Sequence, residues 1–375
     1  MNRPTTRRSA LALIACATTV ATLQGVASPA AGAAARPKAP ASAVARIEAQ
    51  TARSVAASLA SPAWRAQVRT AALGSHQVDL AALTRSAAAD GTLGSRVAAA
   101  DRSIAAAKGL DAGVGSLLRL RLGSDSMRAH LTPGTEPLVA ATVTDEHAAT
   151  VTAYDSHGRV HTLSAKQTPA QPVYVIDIDV SKATSAGLGV VDKAFDKAGL
   201  HGTKASAAKP AAGGYASTKV DAVSINDDEE TWIEGDAEIF SLVSGFGQDG
   251  TVRVDSVDMP YLDTDHHTYY PNQILVNWSN YKYNEADVVM MEDDGDTNYG
   301  AFAKAIADAL LTITDQGAYI PLVDAILNAV PSAWYTNDPD YVDSWYTLST
   351  NSSGTLNGAR GNGWITVEPY WVSSL

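Results

Sequence analysis

The chain has 375 residues, 46% of them hydrophobic and 18% charged, with a formal net charge of −12; that is enough apolar material and length for two or three folded domains. Residues 1–220 hold 24 Lys+Arg against 14 Asp+Glu, whereas residues 221–375 hold 4 against 26. An acidic half of this kind repels phosphate backbones, which excludes nucleic acid as its partner. The single cysteine, Cys16, excludes an intramolecular disulfide and a zinc site built from cysteines.

In chain order, Arg3, Arg7 and Arg8 precede an uncharged, largely apolar run from Ser9 to Val26, and Ala31, Gly32 and Ala33 supply small residues for cleavage. Residues 1–33 therefore read as a secretory signal peptide, and the protein as secreted or extracellular. Thr6 to Ser9 partly match a twin-arginine export signal. Leu13-Ile14-Ala15-Cys16 matches a bacterial lipobox, so the alternative is a chain lipid-anchored at the cell surface through Cys16. No later segment is long and apolar enough for a transmembrane span.

Residues 34–125 form a basic, Ala-rich helical segment after a short Ala/Pro tether, with breaks at Pro62, Gly74, Gly91 and Gly109. Its apolar positions are mostly Ala, so each helix buries little and needs a partner. Residues 126–203 change period. Short β-branched or alternating runs at Leu138–Val143, Thr150–Tyr154, Arg159–Leu163 and Val173–Val180 predict a small β unit, and Ser181–Leu200 predicts a helix. Residues 204–222, rich in Ala, Gly, Ser and Lys at their start, read as a linker where the charge changes sign.

Residues 223–375 are expected to be an acidic, antiparallel β-sandwich-like domain with an inserted helical pair at about Tyr299–Thr314 and Pro321–Val330. Strand candidates are Ala237–Val243, Thr251–Val257, Ile274–Trp278, Asp287–Met291, Ser344–Leu348 and Trp364–Tyr370. The whole is thus an α+β, multi-part protein. Asp227-Asp228-Glu229-Glu230-Thr231-Trp232-Ile233 and Val257-Asp258-Met259-Pro260-Tyr261-Leu262-Asp263 carry a resemblance, as do Tyr270-Pro271-Asn272, Thr297-Asn298-Tyr299, Trp334 to Asp338 and Tyr341-Val342-Asp343. Together they resemble a family of exported bacterial proteins catalogued only as a domain of unknown function, most strongly over residues 223–372. The resemblance implies secretion and a shared fold, and carries no activity.

Acidic clusters punctuate the predicted strands, and carboxylates spaced one apart on a loop can turn several oxygens toward one ion, as calcium requires. Calcium is the expected ion, with Asp227, Asp228, Asp263, Asp265, Asp293, Asp294, Asp296 and Asn298 as candidate ligands. The run from Asp294 opens like an EF-hand but departs from it, with Tyr299 at the sharp-turn glycine position and Ala305 where the bidentate Glu belongs. The plainer account is solvated acidic turns. A predicted strand over Trp232–Phe240 sets Glu234, Asp236 and Glu238 on one face, which suits a carboxylate row in a groove or simply a wet outer face. His266 and His267 stand together after Asp265. Common zinc-protease, nucleophile-elbow, dinucleotide and phosphate-loop motifs are absent. Aromatics cluster at Tyr269, Tyr270, Trp278, Tyr281 and Tyr283, and again from Trp334 to Trp371; they suit ligand stacking at the rim or a sandwich core.

Two functions fit these features. One is a secreted binding or interaction module for an extracellular ligand, with a calcium-stabilised acidic β domain onto which the basic N-terminal half could dock, as a clamp or as a pro-segment. The other is an extracellular hydrolase with a scattered carboxylate/His site in the acidic domain; no catalytic residue stands out.

Overall fold

In the computed structural model, residues 41–85, 91–143, 148–201, 213–227, 232–235, 237–293, 295–330 and 341–374 are described. Helix α1 (Ala43–Ser58) starts at Ser42, whose hydroxyl accepts from the Ala45 amide at 3.0 Å. Its buried stripe, Val44, Glu48, Thr51, Ala52, Val55 and Ala56, follows the 3.6-residue period, with one acid on it. Helix α2 (Pro62–Gly74) has proline in its first turn, which loses no hydrogen bond there. Strand β1 (Gln77–Asp79), helix α3 (Leu80–Thr84) and helix α4 (Gly91–Ala107) follow. Asp101 on α4 accepts from the Leu117 and Leu118 amides, both at 2.8 Å, and fixes the start of β2 (Leu118–Leu122).

Strands β3 (Leu138–Ala141), β4 (Thr150–Tyr154), β5 (Val160–Ser164) and β6 (Val173–Ile178) complete a six-stranded sheet in the order β1-β2-β6-β3-β4-β5. Among the described strands only β3 and β6 pair in parallel. The predicted helical segment thus gives two strands to this sheet. In β2, Leu118 and Leu120 enter the core, while Arg119 and Arg121 project to the other side and pair with Asp179 and Asp177. Carboxylates on or beside the partner strand are what allow two arginines to be buried there.

Helix α5 (Val180–Ala198) is capped by Asp179, which accepts from the Lys182 amide at 3.0 Å, and ends at Gly199 in the left-handed region with φ 84°. Residues 214–222, expected to close the linker, instead begin β7 (Gly214–Ile225); residues 202–212 lie outside the described set. The remaining strands are β8 (Ile239–Phe246), β9 (Val252–Asp258), β10 (Gln273–Asn277), β11 (Glu285–Glu292), β12 (Tyr341–Ser349), β13 (Gly354–Asn357) and β14 (Gly363–Ser373). They make two four-stranded antiparallel sheets, β10-β7-β14-β13 and β12-β11-β8-β9.

Alternation along β8 and β11 decides how these sheets pack. Ile239, Val243, Val288 and Met290 meet Val220, Val223, Ile365 and Val367 in the sandwich core. Phe240, Leu242, Val289 and Met291 face the other way, against α5, α6 (Tyr299–Leu310) and α7 (Val323–Ala329). The same core continues to Val44, Trp64, Leu117 and Tyr174, and residues from Ala41 onward form one compact unit. The fold is the expected α+β arrangement with a sandwich and an inserted helical pair.

The expected strand over Trp232–Phe240 does not form over its first half: Trp232–Glu234 make a turn and β8 starts at Ile239. Arg121 donates to the Ile233 carbonyl at 2.6 Å and Thr142 to the same oxygen at 2.9 Å, and the Trp232 ring lies flush on Gly123. With its carbonyls held from below, this segment docks on the first sheet. Glu234 and Glu238 therefore do not share a strand face, and Asp236 lies outside the described residues.

Helices α5 and α6 approach closely at Gly187, where a Cβ would lie 2.2 Å from the Tyr299 ring. Gly187→Ala is expected to cost about 1–3 kcal/mol by overpacking, measured by urea unfolding. An unchanged midpoint would mean that the helices separate more easily than this packing allows.

Candidate functional site

The loop between β9 and β10 is held at three points. Met259 and Leu262 plug into the sandwich core at 1% and 0% exposure. Tyr269 exchanges both backbone hydrogen bonds with Val223 of β7, at 3.0 and 2.9 Å, and the His266 amide donates to the Ile225 carbonyl at 2.8 Å. His266 and Asn272 take left-handed conformations with φ 54° and 51°, which sharpens the turns on either side of Tyr269.

This scaffold presents Tyr261, Tyr269, Tyr270, Pro271 and Gln273 around an open groove of about 480 Å³, a size typical of ligand sites. The Tyr261 and Tyr269 rings are 5.9 Å apart, tilted by 48°, and His267 packs edge-on against Tyr269 at 4.4 Å. The Tyr269 hydroxyl donates to Asp263 Oδ1 at 2.6 Å, and Tyr261 donates to Gln273 Oε1 at 2.6 Å. Gln273 in turn donates to the Asp258 carbonyl at 2.8 Å. Burial and then Asp263 raise the Tyr269 pKa; burial and then Asp258 raise that of Tyr261. Tyr270, 72% exposed, forms the outer wall. On the neighbouring strands, Lys219 lies 2.9 Å from Asp221, 2.8 Å from Glu368 and 5.1 Å from the centre of the Tyr370 ring.

The expected calcium ligands fall in separate places. Asp263 and Asp265 are exposed on the groove loop, and Asp263 is engaged by Tyr269 and Thr264. Asp227 is exposed, its backbone paired with the Asn362 side chain at 3.2 and 3.0 Å. Asn298 caps α6 by accepting from the Ala301 amide at 2.9 Å and donates to the Ala107 carbonyl at 2.6 Å. Asp228 and Asp294 lie outside the described residues. Among the described residues no group of three His, Cys, Asp or Glu side chains converges as a metal site would require.

Asp293 has a different setting. It is buried with Lys108, whose Nζ is 3.4 Å from both carboxylate oxygens, and both side chains are fully shielded from solvent. Thr184 donates to it at 2.9 Å, the Gly295 amide at 3.1 Å, and the Tyr299 hydroxyl also donates. Burial alone would raise its pKa; Lys108 and the hydroxyls more than offset this and hold it below the usual carboxylate value. Nearby, Glu48 of α1 is pushed well above the ordinary range by burial, then by Asp177, with Asp296 adding to the effect and Lys108 opposing it. Among the described residues its Oε2 has no hydrogen-bond partner. Sequence reading missed this group. Glu48 on an otherwise apolar stripe was the available signal, whereas Lys108, at the end of a helix, reads as an ordinary C-terminal cation.

A mixed α+β protein built on a β-sandwich, with helices covering one sheet and an open tyrosine groove at the rim, is the class this architecture defines. The chain belongs to the family described as protein of unknown function (DUF3103), which matches residues 50–374 and so extends well beyond the strings that carried the resemblance. No curated protein and no solved structure matches it.

Proposed function

We propose that this is a secreted binding module that captures an extracellular ligand in the tyrosine groove. The observation that carries the reading is the groove itself: three tyrosines and a proline around an open cleft, on a loop anchored at both ends to the sandwich. Fixed rings present contact area at little entropic cost on binding. Export is supported by the N-terminal charge and apolar pattern, and among the described residues no helix is long and apolar enough to cross a membrane. The hydrolase alternative asks for a deep pocket joining paired carboxylates to His266 or His267; the groove is open, and His267 packs against a ring.

The test is ligand screening on the mature chain by NMR, followed by Tyr270→Ala and Tyr261→Ala. Each is expected to weaken binding at least about tenfold, in line with the loss of an aromatic contact at a hot spot. Tyr270→Ala should leave the melting temperature unchanged, since the side chain is largely exposed. Full binding by both variants would remove the groove from the function.

Within this reading calcium stabilises the acidic domain through Asp294 and Asp296, since Asp293 already has Lys108 as its counter-ion. A site binding only the native state adds about 2.7 kcal/mol at a hundredfold excess over Kd. The melting temperature should then rise by several degrees in millimolar calcium, less in magnesium, and the gain should largely vanish in Asp296→Asn. Identical melting with calcium and with chelator would end the calcium part alone.

A further inference from the structure

We infer that the tyrosine groove recognises primary ammonium groups and that its occupant is a lysine-rich peptide segment, an inference that rests on the groove being the binding site proposed above. Ring geometry is the first support. Tyr261 and Tyr269, 5.9 Å apart and tilted by 48°, form a corner walled by Tyr270 and Pro271. A cation in such a corner can sit within about 6 Å of more than one ring centre, where the negative ring faces attract it.

The hydrogen bonding points the same way. The hydroxyl protons of Tyr261 and Tyr269 are committed to Gln273 and Asp263, and one N–H of the Gln273 amide to the Asp258 carbonyl. These three donors are therefore turned away from a ligand, while the phenol oxygens and rings remain. Donation to a carboxylate also raises the electron density of the Tyr269 ring, which strengthens its pull on a cation. Asp258, Asp263 and Asp265 add negative potential along the loop. The wider field reinforces it, because residues 221–375 carry 4 basic against 26 acidic side chains.

The protein already holds an ammonium group in this way on the adjoining strands. Lys219 Nζ is 5.1 Å from the Tyr370 ring centre, between Asp221 and Glu368. It also lies 3.5 Å from the side-chain oxygen of Asn272, the residue that follows the groove's Pro271. Lysine is favoured over a neutral sugar because the acidic loop rewards a cation and the hydroxyl protons of two of the groove's three tyrosines are engaged internally.

The experiment titrates the mature chain with acetyl-(Gly-Lys)4-amide, with the same peptide fully N-acetylated on lysine, and with cellohexaose, reading NMR shifts and calorimetric affinity. The lysine peptide should bind, and roughly tenfold more weakly as salt rises from 50 to 300 mM and screening shortens. Acetylation should weaken it at least about tenfold through loss of the charge. Tyr270→Ala and Asp263→Asn should each weaken it similarly, whereas Asp308→Asn, on an exposed i,i+4 pair of α6, should not. Equal affinity for the acetylated peptide overturns the inference, as does an Asp308→Asn effect matching that of Asp263→Asn, which would mean diffuse attraction. Tyrosine-dependent binding of cellohexaose without the lysine peptide overturns it and leaves the binding-module reading intact. No binding of the lysine peptide also overturns it, and the broader reading then stands or falls on the ligand screen.

Discussion

Lys108→Met is expected to lower the unfolding free energy by about 3–5 kcal/mol, the usual cost of removing one partner from a buried ion pair. Methionine keeps much of the lysine volume, so the loss reports charge more than a cavity. The Asp293 carboxylate would stay in a fully shielded position with its hydroxyl and amide donors but no counter-ion. A second variant, Lys108→Met with Asp293→Leu, should recover most of the loss, since an apolar pair of similar volume is often neutral. Urea titrations at pH 7 measure both. The pH dependence has a defined sign: a carboxylate held below its ordinary pKa contributes stability above the unfolded value of about 3.9, lost as pH falls through the folded one. A loss under about 1 kcal/mol for the single variant would show that solvent reaches the pair.

Glu48→Gln should act in the opposite direction. The folded chain keeps a proton on Glu48 that the unfolded chain releases above its ordinary pKa, so stability is full below about pH 4.3 and declines as pH rises toward the folded pKa. Each pH unit across that window removes about 1.4 kcal/mol. Burial is the first cause, Asp177 on β6 and Asp296 before α6 add to it, and Lys108 after α4 opposes it. Glutamine has nearly the same shape and does not titrate. The variant should match the parent near pH 4, exceed it at pH 8, and give a flatter curve between. Parallel stability curves for the two proteins would mean that Glu48 is solvated in the native state.

Much of the fold is legible because local signals agree with it. Asp179 and Gly199 bracket α5, and the alternation around Ile365 and Val367 gives β14. Where the reading fails, a distant partner decides. Leu118–Leu122 alternates as a strand, but it follows Ala-rich helices, and burying its arginines depends on carboxylates 56 and 60 residues away. The row Glu234–Asp236–Glu238 is a period-two pattern that Arg121 overrides by capturing two carbonyls. At the site, Tyr269 and Tyr270 were visible as part of an aromatic cluster, yet spacing cannot tell a rim from a core: Trp278, Tyr281 and Trp345 from the same clusters are buried. Nor does an acidic run announce its neutraliser. Asp293 reads as one of several loop carboxylates until a lysine 185 residues earlier is placed against it.

That separation bears on how the chain reaches its native state. Lys108 is paired by Asp293 and the apolar face of α5 is covered by α6, so an emerging chain has to wait for between about one hundred and nearly two hundred further residues before these groups are covered. Closing contacts of such long range is slow, and the exposed apolar surface meanwhile invites aggregation. An early-emerging half that carries excess positive charge, 24 basic against 14 acidic side chains, repels its own copies during that interval. The charge asymmetry along the sequence then acts first as a safeguard between nascent molecules, and only later, in the closed core, as a source of pairs such as Lys108 with Asp293.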